Sequence, residues 1–409
     1  MVPKVRFKGF TDEWEQHKLE EIAEFYNGDR GPNYPKPSEI VEQGVPFINA
    51  GDLINGHIDY RNCKHITSDK FNQLNGAKLK INDIVYCLRG TIGKNGLVNS
   101  DANATIASSL VCIRPVKLRP LFLFQILNSS IEERQRKMVD EGAAQPNISA
   151  TNLKKFLIPV PNDNEQEKIG EVFSKLNHLI TLQQHKLDQL NTLKKGLLQK
   201  MFADKKHPKP ELRFKGFSGD WEQRKLGDIA PLRGGFAFKS SKFRNTGVPI
   251  VRISNILSSG EIGGDFVYYD EQDKDDKYIL PDKSAVLAMS GATTGKVAIL
   301  SQTDYDKVYQ NQRVGYFQPV DYIDYGFIST IVRSELFMMQ LESVLVSGAQ
   351  PNVSSKEIDS FNFMIPILVQ EQQKIGSFFK QLDHLITLQQ KQIDKLNSLK
   401  KSLLQNMFI

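Results

Sequence analysis

The chain has 409 residues, 40% of them hydrophobic and 24% charged, an ordinary balance for a globular protein of two or three domains. A net charge of +6 and a pI near 8.9 are compatible with a polyanionic partner but too mild to establish one. Cys63, Cys87 and Cys112 show no CxxC spacing, and no stretch approaches the twenty apolar residues of a membrane span; a reducing cytoplasm and no membrane contact are expected.

From the N-terminus, MVPKVRFKGF lacks the apolar region of a signal peptide. It contains Arg6-Phe-Lys-Gly-Phe10, and Trp14-Glu-Gln16 follows. An insert of roughly 140 residues runs from about Glu15 to Val160. Short apolar runs such as Ile84–Leu88, broken by Gly, Asn and Asp, predict a mixed α/β domain there. After Pro161 comes a long helical pattern, with Asn164 and Glu167 resembling a capping box. Apolar residues fall at Ile169, Phe173, Leu176, Leu179, Leu182, Leu187, Leu190, Leu193, Leu197 and Met201. Steps of three and four predict one apolar stripe on an amphipathic or coiled-coil helix. The polar, proline-bearing stretch from Ala203 to Pro210 reads as a domain joint.

Everything then returns. Arg213-Phe-Lys-Gly-Phe217 and Trp221-Glu-Gln223 repeat the opening, and a second insert runs from Glu222 to Ile365, with its own apolar run Ala285–Met289. Glu371–Phe408 matches Glu165–Phe202 at about two thirds of positions, placing Ile375, Phe379, Leu382, Leu385, Leu388, Ile393, Leu396, Leu399, Leu403 and Met407 on the same steps. The expected layout is a globular domain over 1–162, a long helix over 163–206, a second globular domain over 207–366 and a second long helix over 367–409. Each helix would run about 57 Å at about 1.5 Å per residue. Two equivalent halves related by a two-fold axis place the helices antiparallel; packing of each on its own domain, or in a homodimer, is the alternative.

The inserts have diverged heavily, whereas the helices share even polar positions, His178 and His384 or Lys194-Lys195 and Lys400-Lys401 among them. That contrast suggests one partner docking twice and two inserts free to bind different things; recombination of whole inserts would leave the same pattern. Inside the inserts Gly44-Val-Pro-Phe-Ile48 answers Gly247-Val-Pro-Ile-Val251, and Gln145-Pro-Asn-Ile-Ser149 answers Gln350-Pro-Asn-Val-Ser354. Arg89-Gly-Thr-Ile-Gly-Lys94 answers Ser290-Gly-Ala-Thr-Thr-Gly-Lys296. Such a turn can offer backbone N–H groups, hydroxyls and a cation to a phosphate, although its glycine spacing is not that of a Walker A loop. Arg89, Gly90, Thr91, Gly93 and Lys94, with Gly291, Thr293, Thr294, Gly295 and Lys296, are therefore candidate DNA contacts; an ordinary tight turn with a solvated lysine is the other reading. Arg30, Arg233, Lys239, Arg252 and Arg313 are further candidates, each with a solvated loop charge as its alternative.

Catalytic patterns are missing. There is no GxGxxG, HExxH, GxSxG or zinc-ligand spacing, and Pro32-Asn-Tyr34 only imitates the NPPY tetrad of amino-group methylation. The acidic run Asp270–Asp276 lacks calcium-loop spacing.

Two inserts, two matched helices, the Gly-Val-Pro and Gly-Lys turns, Gln-Pro-Asn, and Glu-Gln-x-Lys-Ile at the helix starts together resemble the specificity subunit of type I restriction–modification enzymes, a phage-defence system, over essentially the whole chain. The resemblance implies an α+β protein: two globular α/β-mixed target recognition domains joined by two long antiparallel coiled-coil helices, as a pseudo-two-fold internal repeat. It implies a subunit non-catalytic by itself that binds double-stranded DNA at an asymmetric bipartite site, one half per domain. It implies docking of two modification (methyltransferase) subunits for adenine N6 methylation and two restriction (endonuclease and translocase) subunits for cleavage. The spacer helices would do that docking through residues such as Ile169, Phe173, Leu176, Leu179, Leu187, Leu190 and Leu193 and their counterparts Ile375, Phe379, Leu382, Leu385, Ile393, Leu396 and Leu399. No metal or cofactor is expected in this chain; S-adenosylmethionine, ATP and magnesium would sit on the partners. A repeat scaffold whose inserts bind proteins rather than DNA, or a self-contained enzyme, are the competing readings.

Overall fold

The computed structural model describes residues 2–139, 147–301, 305–345 and 351–408. The chain divides into two compact units, Met1–Gln184 with Lys391–Ile409 and His185–Gln390. The two long helices, Asp163–Met201 and Val369–Asn406, therefore each contribute residues to both units. Among the described residues, no helix is long and apolar enough to cross a membrane.

In the first unit the insert closes on itself, because Glu15–Lys18 pairs antiparallel with Leu157–Val160. Between them a four-stranded antiparallel sheet runs in the order Ala23–Asn27, Leu110–Pro115, Ile84–Cys87, Asn95–Leu97. Alternate side chains serve two cores, as the strand pleat requires. Ile84, Tyr86, Val111 and Ile113 pack with Phe122, Leu123 and Ile126 of the helix Pro120–Ile126. Val85, Cys87, Leu110 and Cys112 face the other way, onto Ile48 and Ile106. Burial on both faces explains why Ile84–Leu88 reads as an unbroken apolar run. The Gly-Val-Pro segment becomes the strand Val45–Ile48, parallel to Thr105–Ile106 and antiparallel to Lys64–Ile66.

The second unit repeats this plan. Glu222–Lys225 pairs with Asn362–Ile365, and the central sheet runs Leu232–Gly234, Val314–Phe317, Ala285–Ala288, Val297–Ile299. Val248–Val251 lies parallel to Tyr309–Gln310 and antiparallel to Val267–Tyr269.

Within each unit the start of one long helix meets the end of the other, so the two run antiparallel there. In the first unit Phe408 packs against Trp14, Phe122 and Phe173 at centroid distances of 6.3, 6.0 and 6.0 Å. In the second, its counterpart Phe202 packs against Trp221, Phe327 and Phe379 at 6.2, 5.6 and 6.0 Å. The repeated Arg-Phe-Lys-Gly-Phe segment straps the helix start. The Arg6 guanidinium donates twice to the buried Glu165 carboxylate, at 2.7 and 2.8 Å, and Arg213 does the same to Glu371 at the same distances. The next residue fastens the domain: Gln166 donates to the Pro161 carbonyl and accepts from the Arg119 N–H, and Gln372 does likewise with Pro366 and Asp324. The Glu-Gln pair at each helix start is thus a structural clamp.

Two expectations are corrected. The first helix starts before Asn164, and its cap is Asn162, whose side-chain oxygen accepts from the Glu165 N–H at 3.0 Å. The apolar positions also do not form one buried stripe. Ile169, Phe173, Leu176, Leu187 and Met201 are buried, as are Ile375, Phe379, Leu382, Ile393 and Met407, and Leu190 is partly buried. Leu179, Leu182, Leu193, Leu385, Leu388 and Leu399 are instead 40–52% exposed. At 3.6 residues per turn each step of three recedes about 60° around the helix, so Leu182, three such steps after Phe173, faces nearly opposite to it.

Candidate nucleic-acid interface

In the first unit the turn after Ile84–Cys87 is built by glycines in the left-handed region, Gly90 at φ 79° and Gly93 at φ 85°. A Cβ on Gly93 would come within 2.8 Å of Arg136 Nε, so the turn lies against the helix Ser130–Val139. Behind it, the buried Glu132 carboxylate accepts from the Tyr86 hydroxyl and from Arg136. Burial pushes the Tyr86 hydroxyl well above its ordinary range. In the second unit Gly291 and Gly295 have φ of 75° and 91°, and a Gly295 Cβ would meet Leu341 Cδ2 at 2.5 Å. There the backing is apolar, from Leu287, Phe337 and Leu341.

The amides expected to cradle a phosphate are mostly spent inside the protein. Gly93 and Lys94 donate to the Cys87 and Thr91 carbonyls, and Gly291, Thr294, Gly295 and Lys296 donate to Pro351, Gly291, Ala288 and Thr293. The Lys94 ammonium donates to the Ala50 carbonyl at 3.0 Å, the Thr293 hydroxyl to Ile253 and the Thr294 hydroxyl to Gly291 and Pro351. Lys296 is half-buried, and its ammonium has no partner among the described residues. The turns are therefore rigid mounts for what flanks them.

Flanking them are cations. Arg89 shares a cleft of about 400 Å³ with Arg30, Asn27, Gly28, Asn147 and Ser149, a lining without a carboxylate among the described residues. Among the described residues Arg30 makes one long bond, 3.3 Å to the Ser108 carbonyl. Residue Arg89 is bridged to Asn147, and Ser290, its counterpart, to Asn352. Those asparagines belong to the repeated Gln-Pro-Asn motif, whose recurrence in both halves was the only sign of their place; Gln145, Pro146 and Gln350 lie outside the described residues. The serines of the motif cap short helices, Ser149 accepting from the Asn152 N–H and Ser354 from the Glu357 N–H.

The arginines separate by what they hold. Arg6, Arg114, Arg119 and Arg136 each rest on a carboxylate, as do Arg213, Arg224, Arg244 and Arg333. Arg61 stands beside Asp59, and Arg134 donates to the Ser130 carbonyl. Arg233 is taken up by Gln310 and the Ile279 carbonyl and stacks 4.9 Å from the Tyr316 ring, and Arg252 donates to the Asp265 carbonyl. Arg233 thus has internal work, whereas Arg252, with a 3.2 Å bond to a backbone carbonyl much as Arg30 has, stays among the candidate contacts. Arg89, Arg313 and Lys239 are exposed, and among the described residues their cationic groups meet no partner.

Residues 11–192 and 218–398 each match the family of the type I restriction modification DNA specificity domain. Over 420 residues, the chain is 24% identical to the type I restriction enzyme MjaVIII specificity subunit of Methanocaldococcus jannaschii, covering 94% of this chain and 96% of that one. Its fold is similar to the crystal structure of the type I restriction-modification system S subunit from M. genitalium, with a TM-score of 0.69 at 17% identity, over 100% of this chain and 99% of the other. A second solved structure, described for complex assembly and conformational transition of the type I R-M system, aligns with a TM-score of 0.53 at 14% identity, over 97% and 98% of the two chains.

Proposed function

The chain belongs to the type I restriction modification DNA specificity family, as a DNA specificity subunit, and we propose that it reads a split, asymmetric duplex sequence, one half per domain. The observation that carries this reading is that one fold occurs twice with different chemistry at the same edge. The same sheet order and the same glycine turns frame Arg30 and Arg89 in one domain and Ser290 and Arg313 in the other. Identical mounts with unlike side chains are what two unlike half-sites require, since base edges are read by side-chain donors and acceptors.

The exposed leucines supply the second part of the proposal. Leu179, Leu182 and Leu193 recur as Leu385, Leu388 and Leu399 at matched positions of the repeat. Apolar residues kept exposed twice over mark a face for one kind of partner taken twice. We assign that face to two modification subunits, which carry S-adenosylmethionine and methylate adenine N6; two restriction subunits, with ATP and magnesium, complete the nuclease. Adenine must leave the stack to be methylated, so the modification subunit extrudes it while this chain holds the flanking duplex.

Methylation-sensitive long-read sequencing of cells carrying this chain and its partners tests the proposal. It is expected to show methyladenine in one asymmetric sequence with an unread gap. Methylation in a continuous or palindromic sequence, or none that depends on this chain, would refute it.

A further inference from the structure

Arg89 and Arg313 occupy neighbouring places at the same sheet end of their respective domains, on different strands. In the first domain the Leu88 N–H, just after Ile84–Cys87, donates to the Ser109 carbonyl at 2.9 Å. In the second, the Met289 N–H, just after Ala285–Ala288, donates to the Arg313 carbonyl at 3.0 Å. The sheet register aligns Cys87 with Leu110 and Ala288 with Val314, so Ser109 corresponds to Arg313 and Arg89 to Ser290. One domain thus carries arginine then serine on these two neighbouring positions, and the other carries serine then arginine. The exchange keeps one guanidinium on this pair of positions in each domain, although the inserts have diverged heavily around them.

Each guanidinium is exposed and, among the described residues, unpartnered, on backbone held by the central sheet. Eight other arginines in this chain rest on a carboxylate, and Arg233 rests on Gln310 and the Ile279 carbonyl. A planar fork of donors on a rigid mount suits a fixed pair of acceptors, and guanine presents O6 and N7 as such a pair in the major groove. We infer that Arg89 and Arg313 each read one guanine, in the half-site of its own domain. The inference deepens the proposed function and rests on it.

The test uses the chain bound to its modification subunits, titrated with duplexes carrying the mapped sequence and its single-base-pair variants at several salt concentrations. Arg89→Ser and Arg313→Ser are the variants, because serine already stands at each equivalent place in the sister domain. Arg89→Ser is expected to abolish a roughly 5- to 150-fold preference for one G·C pair in one half-site, with the other half-site and the salt dependence unchanged. Arg313→Ser does the same in the other half, and the double variant Arg89→Ser/Ser109→Arg regains preference for that pair. Uniform weakening on all sequences with a salt slope lower by about one would mark phosphate contacts and overturn the inference. A mapped half-site without a G·C pair, or a double variant that regains nothing, overturns it too. No sequence preference in the unsubstituted complex would instead sink the proposed function itself, and this inference with it.

Discussion

Lys194 and Lys400 hold the same place in the two long helices but not the same surroundings. The Lys194 ammonium lies 2.6 Å from the Asp383 carboxylate, which also accepts from Arg333 at 2.6 Å. By the repeat, Asn177 stands in the first unit where Asp383 stands in the second, and Asn128 where Arg333 stands. Lys400 has no carboxylate partner among the described residues, and burial pulls its pKa below the ordinary lysine value. The folded state therefore sheds this proton earlier than the unfolded chain does. Between the lowered value and about 10.4 the unfolded state binds more protons, so stability rises with pH in that window; below it the cost is present in full. Asn177→Asp should supply the missing partner, stabilise by about 1 kcal/mol at neutral pH and remove the rise. Urea denaturation at several pH values measures both, and a flat profile in the unsubstituted chain would contradict the assignment.

Among the elements, the long helices show what spacing can and cannot reveal. Their length and repetition were legible, because steps of three and four are the mark of a helix wherever it packs. Which leucines would stay exposed was not, because angular drift accumulates unseen in a list of steps. The clamp of Arg6 on Glu165 joins residues 159 positions apart, beyond any local periodicity. The candidate site was half legible: the glycine turns stood out, but that their amides are consumed, and that arginine and serine change places, requires the strand register. Helix glycines make the same point. Gly196 has nothing within 4 Å of a built Cβ, whereas a Cβ on Gly376 would meet the Phe327 nitrogen at 2.6 Å. Gly196→Ala should stabilise by up to about 1 kcal/mol through helix propensity. Gly376→Ala should destabilise by about 1–3 kcal/mol despite the same propensity gain, because the helix must part from the domain it touches. Denaturant midpoints that moved in the same direction for both would refute this packing account.

For the whole molecule, the division into units carries the functional argument. Each unit takes half of both long helices, so neither recognition domain has a spacer of its own, and the helices form the continuous element common to both. In the proposed function their length sets the unread gap, much as half-site spacing is geometric in dimeric DNA readers. Removing seven residues from each helix at matched positions, Leu187–Leu193 and Ile393–Leu399, shortens both by about 10 Å at about 1.5 Å per residue. Mapping the methylated sequence of cells carrying that variant is the most direct measurement. The account predicts both half-sites unchanged and the gap shorter by about three base pairs, at about 3.4 Å each. A gap of the original length between the same half-sites would contradict it.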